Sequence, residues 1–545
     1  MNYGFIIDNR KCIGCHACTV ACKAEHDVPV GVNRTWVKYI EKGTFPHSRR
    51  HFSVMRCNHC ADAPCVEICP TEALHTRSDG IVDFDNRRCI GCKACMQACP
   101  YDALYIDPET HTAAKCNYCT HRVDIGLEPA CVNVCPEHAI ISGDMDDPAT
   151  EIARLLSREQ VSARKVEKGT RPNLFYIDGD DASLTAAATA QAPDYMWSSQ
   201  SAGVGHYARY AETLVAKADP LEMVRRLADD GPHGPAKSLP PRATDSNGAA
   251  GGTAKPGAMP RRVYDAPAKG VLWGWEVSAY VWTKAIATGA VLVPFLAAAA
   301  GLAPSSGILQ VSGAVVGMLF LALTGVLLIK DLDRPDRFAY VLLRPQWRSW
   351  LVRGGYAITG FGAVVTAWLA AVALTAPPLL LTVLQWLSIA MAALTAVYTA
   401  FLFAQAKGRD FWQSPTLALH MLVHALMAGS AVAALAGLVE GFAPAMDWLP
   451  SALAVSLLGN LAILGAELTT PHPTEDARRV AGMILSGRFR NRFWLGTILA
   501  GTVVPLGLAW LGGPLLLAGA GLLVLAGIYI TEHIWVRAPQ LLPLS

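Results

Sequence analysis

The sequence predicts two structural classes in one chain: an α+β module rich in cysteine, followed by an all-α bundle of eight transmembrane helices. All 16 cysteines lie between Cys12 and Cys135. Residues 271–545 contain only 15 Lys and Arg and 11 Asp and Glu, and long apolar runs dominate them. A chain of 545 residues exceeds one ordinary domain. We therefore expect a cysteine module at 1–185, a flexible linker at 186–270 and a membrane module at 271–545.

The cysteines form four groups of four, and their spacing is typical of metal binding. Two groups have the C-x2-C-x2-C-x3-C run that holds [4Fe–4S] clusters, and three groups end in Cys-Pro. Thiolates suit either iron–sulfur clusters or zinc. Four complete quartets favour four [4Fe–4S] clusters, so the predicted metal ligands are Cys12, Cys15, Cys18, Cys22, Cys57, Cys60, Cys65, Cys69, Cys89, Cys92, Cys95, Cys99, Cys116, Cys119, Cys131 and Cys135.

The first group also matches the C-x-x-C-H pattern of covalent haem, through Cys12, Cys15 and His16. Attachment of that haem needs export, and the first residues contain no apolar run, twin-arginine pair or cleavage site. We expect the module to stay in the reducing cytosol, where disulfides are rare.

The order of the groups predicts which cysteines share a cluster. In proteins with two such clusters, the fourth cysteine of each run binds the other cluster. Groups two and three are separated by about the length of one half of a two-cluster module, so they are expected to exchange their fourth cysteines. Groups one and four then form the other pair. The expected sets are Cys12/Cys15/Cys18/Cys135, Cys116/Cys119/Cys131/Cys22, Cys57/Cys60/Cys65/Cys99 and Cys89/Cys92/Cys95/Cys69.

Short β-rich stretches at 4–7, 36–40 and 81–84 alternate with the cysteine turns. This alternation predicts an α+β ferredoxin-like fold. Basic residues lie just before the groups. They either form a solvated surface or raise the reduction potentials of the clusters electrostatically. These residues are Lys11, Arg56, Arg87, Arg88 and Lys115.

The stretch KCNYCTHRVDIGLEPACVNVCPEHAI at 115–140, with the three earlier groups, resembles the four-cluster electron-transfer subunit of complex iron–sulfur molybdoenzymes. The resemblance covers about residues 1–185. Some members replace one ligand by Trp and hold a three-iron cluster. This chain keeps all sixteen cysteines, as in the dimethyl sulfoxide and polysulfide reductase branch. The resemblance implies a separate catalytic subunit that contains molybdopterin or tungstopterin.

The segment between the modules has the composition of a tether. Residues 186–270 are rich in Ala, Ser, Pro and Gly, which predicts a largely flexible linker. A short helix is predicted at 220–228.

Eight stretches are long and apolar enough to cross a hydrocarbon core of ~30 Å. The loops at 330–352, 407–413 and 469–493, the C-terminal tail and Arg353 carry fourteen of the fifteen Lys and Arg after residue 270. By the positive-inside rule, the cysteine module and both termini lie on the cytoplasmic side of the cell inner membrane. The expected spans are 275–302, 308–329, 353–375, 379–406, 414–439, 448–468, 494–511 and 514–535.

Ionisable residues within these spans cluster toward the cytoplasmic side. Glu276, Tyr280 and Lys284 recur every four residues and share one helix face, as do His420 and His424. An unpaired Lys facing lipid costs ~2.5–3.5 kcal/mol on insertion scales, which predicts a partner or a polar cavity. We predict that these five residues bind a quinone, whose protons carboxylates and imidazoles can relay. The alternatives are snorkelling of the lysine, hydrogen bonds between helices, and haem ligation by the histidines.

The membrane half also resembles a family. Segments WGWEVSAYVWTKAIATGA (273–290), KDLDRPDRFAYVLLRPQWRSWLVRG (330–354) and VRAPQLLPLS (536–545) are similar to the NrfD-like membrane anchor of polysulfide reductase. The resemblance implies eight helices, no haem and a quinol site near the iron–sulfur subunit. The loop after the second span is rich in arginine and is expected to dock that subunit; the alternative is that its charges only anchor the chain at the membrane surface. Its arginines are Arg334, Arg337, Arg344 and Arg348.

These features predict an electron-transfer and membrane-anchor subunit of a respiratory molybdopterin oxidoreductase. The expected partners are that catalytic chain, membrane lipid and quinone, and no nucleic acid, since the net charge is only +2. One alternative is an iron–sulfur and quinone module of a respiratory complex without molybdopterin. The other is a membrane subunit that translocates ions when electrons flow. No pterin site is predicted in this chain itself.

The cysteine content makes iron the first quantity to measure. Four cubes of four irons predict about sixteen irons per chain in protein purified without oxygen. Elemental analysis of the purified chain checks this, and a zinc-loaded, iron-free protein would contradict the assignment.

Overall fold

The computed structural model describes residues 1–44, 46–191, 259–266, 269–438 and 447–545. The helix predicted at 220–228 and most of the predicted linker lie outside these residues. In the cysteine module the strands are β1 Tyr3–Asp8, β2 Thr35–Thr44, β3 His47–Arg56, β4 Leu74–Thr76, β5 Val82–Phe84, β6 Leu104–Ile106, β7 Ala113–Lys115, β8 Ile140–Asp144, β9 Val161–Ser162, β10 Leu174–Ile177, β11 Ala190–Gln191 and β12 Arg261–Tyr264. Its helices are α1 Ala17–Glu25, α2 Pro64–Ile68, α3 Ala94–Ala98, α4 Thr120–Val123, α5 Ala130–Asn133, α6 Glu151–Arg158 and α7 Asp181–Leu184.

Two four-stranded sheets and two hairpins hold the cysteine turns. One sheet has the order β8-β1-β10-β9, and the hairpins are β4-β5 and β6-β7. Each hairpin comes after a short helix that ends at the fourth cysteine of its group, Cys69 or Cys99. The module therefore has the α+β ferredoxin-like fold that the alternation of strands and cysteine turns predicts.

The second sheet extends past the predicted end of the module at residue 185. Its order is β11-β12-β2-β3, and β12 pairs with β2 in antiparallel register, with Arg262 opposite Ile40. Arg262 and Asp265 form a buried ion pair, and Asp265 accepts a hydrogen bond from Trp36 Nε1 at 2.7 Å. Residues near both ends of the predicted linker thus pack on the cysteine module.

Eight helices in the described residues are long and apolar enough to cross a membrane, each within a few residues of its predicted span. The first is the most buried of the eight. The seventh begins as a π-helix over Arg492–Val503 and continues as an α-helix. The helices of this half are α8 Trp275–Ala299, α9 Ile308–Lys330, α10 Tyr340–Leu343, α11 Trp350–Ala373, α12 Pro378–Gln405, α13 Leu417–Ala436, α14 Leu449–Thr469, α15 Glu475–Leu485, α16 Val504–Leu511 and α17 Pro514–Arg537.

The charged loops of the bundle pack directly against the cysteine module. Gln97, which lies in α3, accepts from Arg409 Nε at 2.9 Å and donates to Gln540 Oε1 at 2.6 Å. Arg409 Nη1 also reaches the C-terminal tail, at the carbonyl oxygens of Pro539 and Leu542. The side chains of Gln97, Arg409 and Gln540 are buried, so the interface contains a hydrogen-bonded polar network inside an apolar contact.

The arginine-rich loop contributes to this interface through two of its four arginines. Arg337 donates to the carbonyl oxygens of Asn86 and Cys89, at 2.7 and 3.1 Å, and Arg334 donates to that of Thr110. Arg344 instead lies over the ring of Tyr340 in its own loop.

Two glycines allow the backbones of the modules to meet. A Cβ on Gly408 would lie 2.6 Å from the carbonyl oxygen of Gln97, and one on Gly91 would lie 2.7 Å from Asp333 Cβ. Gly91 also has a φ of 69°, which disfavours other residues. The group-three cysteine turn can therefore lie directly on the membrane half.

Candidate functional site

The structure brings the members of each predicted cysteine set together. One cavity is lined by Cys12, Cys15, Cys18 and Cys135, and a second by Cys69, Cys89, Cys92 and Cys95. Cys22 interacts electrostatically with the thiols of the fourth group. Cys99 interacts electrostatically with the thiols of the second group. These contacts join Cys22 to Cys116, Cys119 and Cys131, and Cys99 to Cys57, Cys60 and Cys65. The assignment of individual cysteines as iron ligands stays a prediction.

The four sets form a row that crosses the module. Cys18 of the first set lies within electrostatic range of Cys131 of the second. Cys116 of the second set interacts electrostatically with Cys57 of the third set. Cys95 of the fourth set interacts in the same way with Cys65 of the third set. The row begins at the exposed Cys15 and ends at the membrane half.

Eleven of the sixteen cysteines are buried. Burial raises the pKa of Cys18 to about 11, and it raises the pKa of Cys22 still further, against the weaker effect of nearby Arg56. Such thiols are neutral at pH 7, whereas coordination by iron deprotonates a cysteine ligand. Each set supplies four sulfur ligands, which is the donor set that a [4Fe–4S] cube requires.

Two of the five basic residues before the groups are buried among the cysteines. Arg56 Nη1 lies 3.1 Å from Cys131 Sγ, and its guanidinium lies over the ring of Phe5. Its Nε and Nη2 have no hydrogen-bond partner in the described part of the chain, as expected for donors facing the sulfur atoms of a cluster. Lys115 is also fully buried and donates to the carbonyl oxygen of Cys116 at 2.8 Å. Lys11 and Arg87 are exposed.

The last set adjoins a cavity in the membrane half. This cavity measures about 220 Å³, and its wall includes Cys92 together with Tyr280, Tyr398 and Asp331. Trp273 Nε1 donates to the carbonyl oxygen of Cys92 at 3.2 Å, so the indole joins the cysteine turn to the start of α8. Apolar side chains of α8 to α12 and of the loop after α9 form most of the remaining wall.

Asp331 is a polar wall residue that sequence reasoning missed. It follows α9 directly, where burial raises the pKa of its carboxyl to about 7, and nearby Glu276 and Asp333 add to this effect. Lys93 of the cysteine module opposes the shift and donates to the Asp331 carbonyl oxygen at 3.0 Å. In the sequence, Asp331 belongs to a run of charged loop residues. Only its burial under the module distinguishes it.

The first-span residues of the predicted quinone site divide between the cavity and its surroundings. Tyr280 lines the cavity, and Lys284 lies behind it, with Nζ 4.7 Å from the centre of the Tyr398 ring. Lys284 Nζ donates to Thr399 Oγ1 at 2.6 Å and to a carbonyl oxygen of α12, which supplies the expected partner. Glu276 is half-buried at the helix start and faces Lys330 at 4.0 Å.

The histidines of the predicted site do not line this cavity. His420 Nδ1 lies 2.8 Å from Glu467, and His424 Nδ1 lies 2.6 Å from Glu532. The two rings are 4.3 Å apart at their centres, and all four side chains are buried. The structure therefore places these histidines in a separate buried polar cluster of the bundle.

Comparison with known families agrees with both halves. Residues 11–74 and 49–145 each match the 4Fe-4S dicluster domain family. Residues 265–540, just over half of the sequence, match the family described as polysulphide reductase, NrfD. This protein belongs to the NrfD polysulphide reductase family.

Curated relatives of this NrfD-family chain include iron–sulfur subunits of reductases. It is 46% identical over 187 residues to a tetrathionate reductase subunit of Salmonella typhimurium, a match that covers 34% of this chain and 75% of the relative. It is 42% identical over 180 residues to one of the polysulfide reductase chains of Wolinella succinogenes, covering 32% and 93%. A putative dimethyl sulfoxide reductase iron–sulfur subunit of Halobacterium salinarum is 38% identical over 209 residues, covering 33% and 80%.

These matches establish the general nature of the protein. This NrfD-family chain joins a [4Fe–4S] electron-transfer module to an eight-helix membrane module in one polypeptide. It is thus a multi-pass membrane protein of reductase-type electron transport.

Arg56 offers a direct test of how the module sets the potential of its clusters. Arg56→Gln removes a buried positive charge beside Cys131, so the adjacent cluster should become harder to reduce by roughly 60–100 mV, or about 1.4–2.3 kcal/mol for one electron. Potentiometric titration followed by electron paramagnetic resonance measures this shift. Arg56→Lys keeps the charge and should stay near the native potential. Equal potentials in all three proteins would contradict the electrostatic role.

Proposed function

We propose that this chain passes electrons between a membrane quinone and a separate catalytic subunit that contains molybdopterin or tungstopterin. Four [4Fe–4S] clusters, one for each cysteine set, carry the electrons. Residues 1–185 form the electron-transfer module, 186–270 a largely flexible linker, and 271–545 the quinone-reactive membrane anchor, with the few strand residues around 190 and 261–264 packed on the first module.

The observation that carries this proposal is the cavity shared by the two modules. It is bounded on one side by Cys92, a predicted cluster ligand, and on the other by polar residues of membrane helices. A quinone bound there lies next to the end of the cysteine row. The apolar wall of the cavity suits a quinone ring and the start of its lipid tail.

The polar residues of the cavity match the protons that quinone chemistry involves. Oxidation of a quinol to a quinone releases two electrons and two protons, and reduction takes them up. Asp331, whose carboxyl has a pKa of about 7, can gain or lose a proton near neutral pH. Tyr280 lines the cavity and offers a hydroxyl as a hydrogen-bond donor, and the buried Lys284 supplies a cation behind it.

The opposite end of the row supports the proposed partner. Cys15 is exposed there, and the exposed apolar side chains of Ile13 and Val20 lie close to it in the sequence. Val134, which is also exposed, directly precedes Cys135 of the same set. The relatives are named as single subunits or chains of reductases, which supports a catalytic partner for this protein. A partner seated at this end receives or supplies electrons without contact with the membrane.

The loop charges support the proposed location. The loops that contact the cysteine module carry most of the Lys and Arg of the membrane half, among them Arg334, Arg337 and Arg409. The positive-inside rule then puts the module and both termini on the cytoplasmic side of the inner membrane.

Stopped-flow reduction of the purified full chain by menadiol, a naphthoquinol without a lipid tail, tests the proposed site. Bleaching of the cluster absorbance gives the rate. Lys284→Leu removes the buried cation, and Asp331→Asn removes the ionisable carboxyl of the cavity. Each should slow reduction about tenfold or more, because proton transfer at the ring is impaired. Iron content should not change.

Asp336→Asn is the matched control, since Asp336 lies on the same loop but is exposed and pairs with Arg334. It should react at the native rate. Native rates in both site variants would remove these residues from the site, and a native chain that menadiol cannot reduce would contradict the proposed function.

A further inference from the structure

A row of buried ionisable side chains leads away from the cavity into the bundle. Its members come from α8, α13, α14 and α17, and each is at least nine-tenths buried. In order they are Lys284, Glu532, His424, His420 and Glu467.

The middle of this row is two histidine–carboxylate pairs side by side. His424 Nδ1 lies 2.6 Å from Glu532 Oε1, and His420 Nδ1 lies 2.8 Å from Glu467 Oε2. Within the described residues, neither Nε2 atom has a hydrogen-bond partner. One ring nitrogen of each histidine and an oxygen of Glu532 all lie within 4.8 Å of one another. A proton can therefore pass between the pairs through ring rotation or a single water.

The first end of the row reaches the wall of the quinone cavity. Lys284 interacts electrostatically with Glu532, without a hydrogen bond between them in the described residues, and its Nζ donates to Thr399 Oγ1 at 2.6 Å. The same ammonium group packs on the ring of Tyr398, which lines the cavity.

The other end opens on the side of the cysteine module. Glu467 accepts hydrogen bonds from Thr416 Oγ1 at 2.9 Å and from Trp535 Nε1 at 3.1 Å. It also lines a second cavity of about 360 Å³, whose wall includes His472 and Asp410. Asp410 pairs with Lys168 of the cysteine module, which fixes the side of the bundle on which this cavity lies.

Stability alone accounts poorly for such a row. Burying a charge in a bilayer is expensive, and buried ion pairs are at best weakly stabilising. Helix contacts could be made by uncharged partners at lower cost. The unpartnered Nε2 atoms and the two cavities at its ends point to transport along it.

We propose that this row is a proton path between the quinone cavity and the cavity at Glu467, and that quinone turnover therefore moves no net charge across the membrane. The inference rests on the proposed function. When one quinol is oxidised to the quinone, its two electrons leave through the cysteine module and its two protons leave on that same side. Reduction of the quinone reverses both movements. The charges of the electrons and of the protons then balance on one face of the membrane.

The first experiment measures menadiol-driven reduction of the full chain carrying Glu467→Gln or His424→Gln. Both variants should be slowed about tenfold or more, with a larger solvent deuterium isotope effect and unchanged affinity for menadione. Formate should restore the rate of Glu467→Gln, because that position faces a cavity that the small acid can enter. Glu475→Gln, at an exposed position on the same side, is the control and should keep the native rate.

Three results would overturn the path. These are native rates in both variants, slowing without any isotope or formate effect, and a stoichiometric metal in the native protein that is lost in His424→Gln. The last would mean that His420, His424 and Glu532 bind an ion. A failure of the proposed function looks different, because native protein would then not react with menadiol at all.

The second experiment tests charge balance in proteoliposomes whose cysteine modules face outward. Menadiol is the donor and external ferricyanide accepts electrons from the module. No membrane potential should develop in a potential-sensitive dye, and an uncoupler should leave the rate unchanged. A potential that the uncoupler abolishes would overturn the same-side exit of protons.

Discussion

The structure depends on close contact between a cysteine turn and the ends of membrane helices. Electrons move only over short gaps, so the last cysteine set must lie beside the cavity of the membrane half for the proposed electron transfer to a quinone. Trp273 bridges them by donating to the Cys92 carbonyl oxygen, while Arg409 and Gln97 satisfy buried polar groups across the contact. Gly408 keeps the backbones close enough for this. Joining both halves in one polypeptide keeps the two modules at high local concentration.

A second constraint governs the membrane half, where each buried ionisable group needs a partner. The partners of Lys284 are Thr399 and a backbone carbonyl oxygen. The partners of the histidines are Glu467 and Glu532. These partners come from different helices, so they also fix the packing of the bundle. The same groups that hold the helices together are the ones able to exchange protons.

The sequence was sufficient for the features that local patterns encode. The spacing of the cysteines predicted the three thiols that each group contributes to one set, because the fold of each group is set within a few residues. The fourth thiol of each set comes from another group, and the exchange rule of two-cluster modules predicted it. Apolar runs predicted eight spans, since length and hydropathy are local properties. The pairing of strand Arg261–Tyr264 with β2 was not predictable, because it joins residues more than 200 positions apart and no local pattern encodes it.

Features that depend on tertiary contacts were not predictable. Glu276, Tyr280 and Lys284 share a helix face, yet packing turns Tyr280 to the cavity and leaves Glu276 near Lys330. The partners of His420 and His424 lie 47 and 108 residues away in the chain. Burial raises the pKa of Asp331, and the nearby Glu276 and Asp333 add to this effect, so the shift depends on tertiary packing.

The central claim is that a row of four clusters ends at a quinone between the modules. An electron cryo-microscopy map of the full chain, purified without oxygen and with menaquinone added, tests it most directly. The account predicts four cubane densities from Cys15 to Cys92 and a quinone ring bounded by Cys92, Tyr280 and Asp331. A missing cube, or a ring elsewhere, such as in the apolar cavity at Trp282 and Pro294, would contradict it.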